Sequence, residues 1–432
     1  MPSSQKYCLK ILDRHPVLRP FVIRIFSSNI QTHHNPFIPP TASKLRTRIN
    51  TSWTYYLESQ KRSKHPYIGP HRTSRRLYNT SAMMPPKVLL HGSGAIGTIY
   101  LYLLQKAGCD VTAVCRSNYE VAKSNGFLID SEKYGKGIRI RPNVVRTPAE
   151  AAAQLAEGQA FDYVLVTVKA VPGVKTPEII APAVTVGRTS IVLIQNGIGI
   201  EEEYWQRFPQ NPLLTCVVYL PTTQIAQGHI QMGDFERLEV GTFPARQYET
   251  SESVAAATDK FIELVQNGGS HVKRFHDIQE KRWNKLMLNA SWNPICALTL
   301  NRDVAFLASS PAAERLVQDV MHEVVAIAQS LGHKGITDEM AEKQLNRARA
   351  RIGGKGIEPS MLMDVLNERR MEVEVILGNP VRIAKQRGVN VPKMETLYAL
   401  SKALDDAIQL RESGRSLGGD EVRSIKEPEA SL

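Results

Sequence analysis

Cysteine is scarce and unpatterned in this chain. Five residues among 432 (Cys8, Cys109, Cys115, Cys216, Cys296) are odd in number and scattered. They form no C-x-x-C pair and no Cys/His ligand spacing, so neither a disulfide framework nor a zinc site is supported, no metal is called for, and a reducing compartment is expected. No apolar run approaches the roughly 18 to 20 residues that a membrane helix needs, which argues against membrane insertion. Acidic residues are nearly missing from positions 1–82: Asp13 and Glu58 stand against 14 Lys/Arg, so that segment holds the whole formal charge of +12. The other 350 residues balance at 40 basic and 40 acidic. Basicity therefore belongs to an N-terminal extension rather than to a folded face, and a nucleic-acid partner is not supported.

With 42% hydrophobic content the chain is not wholly disordered, and its length suits two or three structural units. The boundaries expected are 1–84 for a basic extension or targeting segment, 85–276 and 277–412 for two folded domains, and 413–432 for a flexible tail. The extension has transit-peptide composition, although Pro16 and Pro20 interrupt the one apolar stretch at Phe21–Phe26. Two locations stay open: mitochondrial if residues 1–82 act as a presequence, cytoplasmic otherwise. From Lys87 the pattern alternates. Short β-branched runs at Val88–His91, Val111–Val114, Tyr163–Val168, Ser190–Ile194 and Leu214–Leu220 are separated by helical stretches, the first over Ala95–Ala107, as in a parallel sheet covered by helices. His229–Met232 and Arg237–Val240 read as antiparallel strands at the sheet's edge. Beyond Asp277 the periodicity is helical, over Trp283–Thr299, Ala312–Leu331 and Ser360–Leu377, and Gly378-Asn379-Pro380 reads as a helix stop followed by a new cap. The fold class expected is α/β: an N-terminal Rossmann-type parallel sheet domain followed by an all-α C-terminal domain.

The glycine string Gly92-Ser93-Gly94-Ala95-Ile96-Gly97 follows a strand and opens a helix, the context of a dinucleotide fingerprint. Gly92 suits the tight turn, Gly94 the approach of a pyrophosphate, and Gly97 close packing of helix on strand. The second strand runs into Cys115-Arg116-Ser117-Asn118 with no acid to take ribose hydroxyls, which favours NADP(H), with Arg116 on the 2′-phosphate; a solvated surface arginine is the alternative. Two more strand ends leave Lys169 and Asn196 where ligands of open sheets sit, Lys169 being as well explained as a charge on the sheet's rim. In the helical half, Lys285, Asn289 and Asn293 fall at i, i+4 and i+8, an arc of about 80° on a largely apolar helix. The stripe is either a solvated face or a cleft wall where a lysine protonates an oxygen that gains charge during hydride delivery.

Five motifs together resemble the ketopantoate reductases: G-S-G-A-I-G at Gly92–Gly97, V-T-V-K-A at Val166–Ala170, Q-N-G-I-G at Gln195–Gly199, W-N-K-L-M-L-N-A-S-W-N-P at Trp283–Pro294 and P-S-M-L-M-D at Pro359–Asp364. The resemblance covers about residues 85–410. It implies an NADPH-dependent reductase acting on a small 2-oxo acid in pantothenate synthesis, with its site between the two domains. By position it makes Lys285 the general acid and Glu372 the acid that positions it. It makes Asn196, Asn289, Asn293 and Ser360 substrate contacts, with Asn196 shared with the nicotinamide, and puts Arg116 and Lys169 on the cofactor phosphates. Thr222 lies near a cofactor-contact position, and Asn301 or Asp303 stands where many members carry a substrate-binding asparagine. Rival readings are a paralogue reducing another 2-oxo acid or ketone, a β-hydroxyacid dehydrogenase, and a non-catalytic NADPH-binding protein; a homodimer stays open. On one straight helix Ser360 and Glu372 would stand about 18 Å apart, so a break is expected near Leu366–Arg370.

Overall fold

The computed structural model describes residues 84–412; the basic extension with its targeting reading, and the tail from residue 413, lie outside the described residues. The chain opens with β1 (Lys87–His91), helix α1 (Ala95–Lys106) and β2 (Asp110–Val114), then a hairpin of β3 (Phe127–Ser131) and β4 (Gly135–Ile140). Further strands are β5 (Asn143–Val145), β6 (Tyr163–Val166), β7 (Ser190–Leu193), β8 (Leu213–Tyr219), β9 (Thr222–Ala226), β10 (His229–Met232) and β11 (Arg237–Thr242). Helix α2 (Glu252–Gly268) and β12 (Val272–Arg274) complete the sheet domain. β6 and β7 are buried at every residue, which is why they read as unbroken apolar runs rather than alternating ones: helices cover both faces of a parallel sheet.

The main sheet runs β12-β11-β8-β7-β6-β1-β2-β5. Strands β5-β2-β1-β6-β7-β8 are all parallel, the doubly wound order whose reversal point lies between β1 and β6. The glycine turn after β1 and the Lys169 turn after β6 both open at that crevice. Two strand expectations need correction. β11 is antiparallel to β8, but β12 pairs outside it and takes the edge. β10 leaves the main sheet for a four-stranded one, β4-β3-β10-β9, lying parallel to β3 and antiparallel to β9. Alternation along one strand says which face is buried, not which neighbour it joins.

The second half is helical: α3 (Gln279–Thr299), α4 (Pro311–Ser330), α5 (Asp338–Arg349), α6 (Ser360–Leu366), a π-helical turn over Glu374–Gly378, α7 (Asn379–Arg387) and α8 (Pro392–Glu412). Local chemistry sets the start of α4, where the Ser310 hydroxyl accepts from Ala313 N at 3.2 Å and Pro311 takes the first helical position. Trp283, Leu286 and Met287 of α3 join Val317, Val320, Met321 and Val324 in one buried cluster. The expected break is present: α6 ends at Leu366, and Glu368 turns the chain with φ +52° before Glu372. The expected stop at Gly378 is not. Gly378 is helical (φ −61°, ψ −51°) and the π turn runs straight into α7. Pro380 has no N–H and its ring crowds the carbonyl four residues back, and a wider turn before it accommodates both without ending the helix. The Asn379 side chain caps nothing; its amide donates to Ile198 O at 2.7 Å. Among the described residues no helix is long and apolar enough to cross a membrane.

Candidate active site

The glycine turn is shaped by what a side chain would strike. At Gly92, φ is +115° and a Cβ would stand 2.5 Å from Val168 N; at Gly97 it would stand 2.1 Å from Gly92 O. At Gly94 nothing lies within 4 Å. Gly94 caps α1, the cap has no side-chain bond, and no acid occupies the helix's first turn. An open, acid-free helix N-terminus with room for backbone approach fits a dinucleotide pyrophosphate. Ala95 and Ile96 form the partly buried first turn. Ser93 contributes backbone only, since its buried hydroxyl donates to Val114 O at 2.9 Å while Asn118 Nδ2 holds Ser93 O at 2.8 Å. Arg116 is exposed at the end of β2.

From the helical half, α3 presents Lys285 to the loop after β7 and to β8. Its Nζ donates to Asn196 Oδ1 at 2.8 Å and to Val218 O at 2.5 Å. Asn196 passes the contact on: its Nδ2 donates to Glu372 Oε2 at 3.2 Å, while Glu372 Oε1 accepts from Ala170 N at 3.1 Å. This chain of bonds fixes the Asn196 amide, carbonyl toward the ammonium and NH2 toward the carboxylate. Glu372 therefore acts on Lys285 through Asn196, without touching it. Burial pulls Lys285 down to about 8, assisted by the Arg282 charge and opposed by Glu372 and Glu239. Burial also pushes the Glu372 carboxyl up, against the pull of Lys169.

The remaining residues of the sequence reading divide. Asn289 lines the same crevice as Lys285, Asn196 and Gly197, whereas Asn293, one turn further along α3, is 4% exposed. The stripe thus runs from the crevice wall into the core. Ser360 is exposed at the first turn of α6. Lys169 is paired with Asp364, which also lies 3.4 Å from Arg369 Nε; burial pushes the Asp364 carboxyl up and Lys169 pulls it down. In this geometry Lys169 ties the end of β6 to α6, with its side chain 40% exposed. Thr222 begins β9 and donates to Gln231 O, a bond within the second sheet. Asp303 is 2% exposed and its carboxylate is occupied by Arg351 Nη2 at 2.6 Å and the Ile357 and Val304 amides. It organises the segment that leads into Ser360, and Asn301 is exposed.

Sequence reasoning missed Arg282, three residues before Lys285. Its Nε lies 2.7 Å from Glu201, with side chains 2% and 1% exposed, and its Nη1 donates to Gln195 O at 3.0 Å and Gly197 O at 3.2 Å. Nη2 reaches Thr215 Oγ1 and Cys216 O. One guanidinium thereby fastens α3 to β8 and to the loop that carries Asn196. That loop also docks on the π turn: Gly197 has φ +95°, and a Cβ there would stand 2.5 Å from Val375 Cβ. The available signal was a second cation on the same helix, immediately before Trp283 and one turn ahead of Lys285.

Both halves of the chain match known proteins. The family model described as Ketopantoate reductase PanE/ApbA matches residues 88–245, and that described as Ketopantoate reductase PanE/ApbA C terminal matches residues 277–405. The uncharacterized protein YDL144C of Saccharomyces cerevisiae is 32% identical over 336 residues, covering 73% of this chain and 92% of that protein. A 2-dehydropantoate 2-reductase of Nostoc is 30% identical over 323 residues, covering 74% and 95%. The crystal structure of 2-dehydropantoate 2-reductase from Methylococcus capsulatus superposes with TM-score 0.62 at 32% identity, covering 79% of this chain and 98% of that one. With both halves matched in order by the family's two models and a named member 30% identical over 74% of the chain, the chain belongs to the PanE/ApbA ketopantoate reductase family.

Proposed function

We propose that this protein reduces ketopantoate to pantoate with NADPH, the step that feeds pantothenate synthesis. The observation that carries the reading is the Lys285 ammonium, desolvated and held by Asn196 and Val218 O on the crevice wall. NADPH, when bound, supplies the hydride to the C2 carbonyl. The chain's own groups do the rest. Gly92–Gly97 and the α1 N-terminus hold the pyrophosphate, and Arg116 takes the 2′-phosphate. Lys285 Nζ stabilises and then protonates the oxygen that becomes negative as hydride arrives. Glu372 holds Asn196, and through it the lysine, in place. Asn289 and Ser360 hold the acid's polar groups, and Asn293, one turn deeper on the same stripe, is buried behind them. Lys169 and Asp364 keep the wall of the crevice together, and Asn196 sits where cofactor and substrate meet.

Loss of NADPH absorbance on adding ketopantoate to the full chain tests the reading; no oxidation with ketopantoate or with any of a panel of 2-oxo acids would overturn it. A second reading, reduction of a different 2-oxo acid, is favoured by one observation: Asp303, near the position of a substrate-binding asparagine in the resemblance, is consumed by Arg351 and the Ile357 amide. The same panel separates the two. Sequencing the N-terminus of the protein from its own cell shows whether residues 1–82 are removed as a presequence.

Two outcomes follow from the chemistry. Lys285 works as the protonated acid, so the reduction rate is full below its titration and falls as pH rises through about 8; a flat kcat profile from pH 6 to 10 contradicts the assignment. Arg116→Ala should weaken NADPH about tenfold, roughly 1.4 kcal/mol for a lost charged contact to phosphate, and leave NADH unchanged. Fluorescence titration of both cofactors reads the ratio, and an equal loss for both contradicts the 2′-phosphate role.

A further inference from the structure

Glu239 is a buried carboxylate that the reaction above does not use. It stands on β11 opposite Val217 of β8 and is 6% exposed. One oxygen lies 3.3 Å from Arg237 Nη2; the other, Oε2, is buried with no hydrogen-bond partner. A carboxylate kept in that state is costly unless nearby cations compensate it. Here they gather on one face. Strand alternation places Arg237 and Glu239 on the same side of β11, and the register brings Tyr219 and Val217 of β8 beside them. The Arg237 guanidinium lies 4.5 Å from the Tyr219 ring centroid, and Lys285 Nζ lies 5.5 Å from the same ring. Lys285 also bonds Val218 O, the residue between those two.

We infer that Glu239 is a second positioning carboxylate for Lys285, acting on its ammonium from the β8–β11 face while Glu372 acts through Asn196. The inference rests on Lys285 being the proton donor of the proposed reduction. The charged and polar groups facing Lys285 are Arg282 from its own helix, Glu372 before the π turn, Asn196 after β7, Tyr219 of β8 and Glu239 of β11. Those around Glu239 are Arg237, Lys273 across the β11–β12 pair, Lys281 and Lys285. The two acids favour the charged lysine, against burial and Arg282; the four cations favour the charged carboxylate, against burial. The coupling is reciprocal.

Glu239→Gln removes the charge and keeps the shape. The pH at which kcat falls should then move downward by roughly one pH unit, with Glu239→Asp returning it toward the wild-type position. Lys285 titration is also read without turnover, by following the pH dependence of its acylation with an amine reagent by mass spectrometry. That midpoint should move down in Glu239→Gln and likewise in Glu239→Leu, an apolar replacement that serves if the first variant does not fold, and stay near its wild-type position in Glu239→Asp. Midpoints that stay put in folded Glu239→Gln or Glu239→Leu, whatever happens to the rate, overturn the inference and leave Glu239 a packing residue. If the wild-type protein oxidises NADPH with no 2-oxo acid while the labelling midpoints still move, the reductase reading fails and the Glu239–Lys285 coupling stands.

Discussion

Lys285→Ala should lower kcat by roughly 10³-fold or more while NADPH binds as before. The size follows from the double task of one group. In the proposed reduction its ammonium meets the carbonyl oxygen as that oxygen gains charge, in surroundings dry enough to bring it down to about 8, and then supplies the proton that completes the alcohol. No neighbour substitutes for it: Arg282 is committed to Glu201, Gln195 O and Gly197 O, and Lys169 to Asp364. The glycine turn and Arg116 lie on the sheet domain, which is why cofactor affinity is expected to survive. Single-turnover kinetics together with NADPH titration of the variant make the check; a loss below about tenfold would remove Lys285 from the chemistry.

The largest effect on stability is expected at Arg282. Arg282→Met keeps much of the volume but leaves Glu201, 1% exposed, with only Thr215 Oγ1 and Gln279 Nε2 as donors, each at 2.9 Å. Breaking a buried pair from one side costs about 3 to 5 kcal/mol, because the surviving charge stays desolvated. Urea unfolding followed by circular dichroism reads the fall in midpoint. Adding Glu201→Gln to Arg282→Met should recover part of the loss, since a neutral amide tolerates that site better than an orphaned carboxylate. A double variant less stable than the single one would mean that Arg282 acts through its bonds to the Asn196 loop rather than through the charge pair. Activity should fall with stability, because Gln195 O and Gly197 O flank Asn196, which holds Lys285.

How far the site could be read in advance depends on the range of the forces that build it. The glycine turn was legible because its requirements are local: a left-handed residue at Gly92, open space at Gly94 and close approach at Gly97 are set by neighbours along the chain and by one strand beside it. The Lys285-Asn289-Asn293 stripe was legible because helix periodicity puts i, i+4 and i+8 together, although only tertiary packing makes its last member buried and its first two part of the crevice wall. The break before Glu372 was legible from reach, once the resemblance had put Ser360 and Glu372 in one site, whereas periodicity ran the helix through it. The continuity through Gly378 was not, because a glycine and a proline signal a stop unless a wider turn is packed around them, and the docking of Gly197 and Ile198 on that turn is a long-range contact.

Arg282 with Glu201 and Lys169 with Asp364 join elements that local pattern keeps separate. A lone charge in a sequence window looks the same whether it will be solvated or buried against a partner about 80 or 195 residues away. The sequence by itself determined the α/β plan, the helical second half, the glycine turn and the polar stripe that carries Lys285, since periodicity, turn chemistry and motif order are properties of short stretches of chain. Only the tertiary structure decided that Asn196 stands between Glu372 and Lys285, that β10 belongs to a second sheet, and which carboxylates stand beside which cations, because burial and charge pairing are settled by whatever the fold brings together across a desolvated interface.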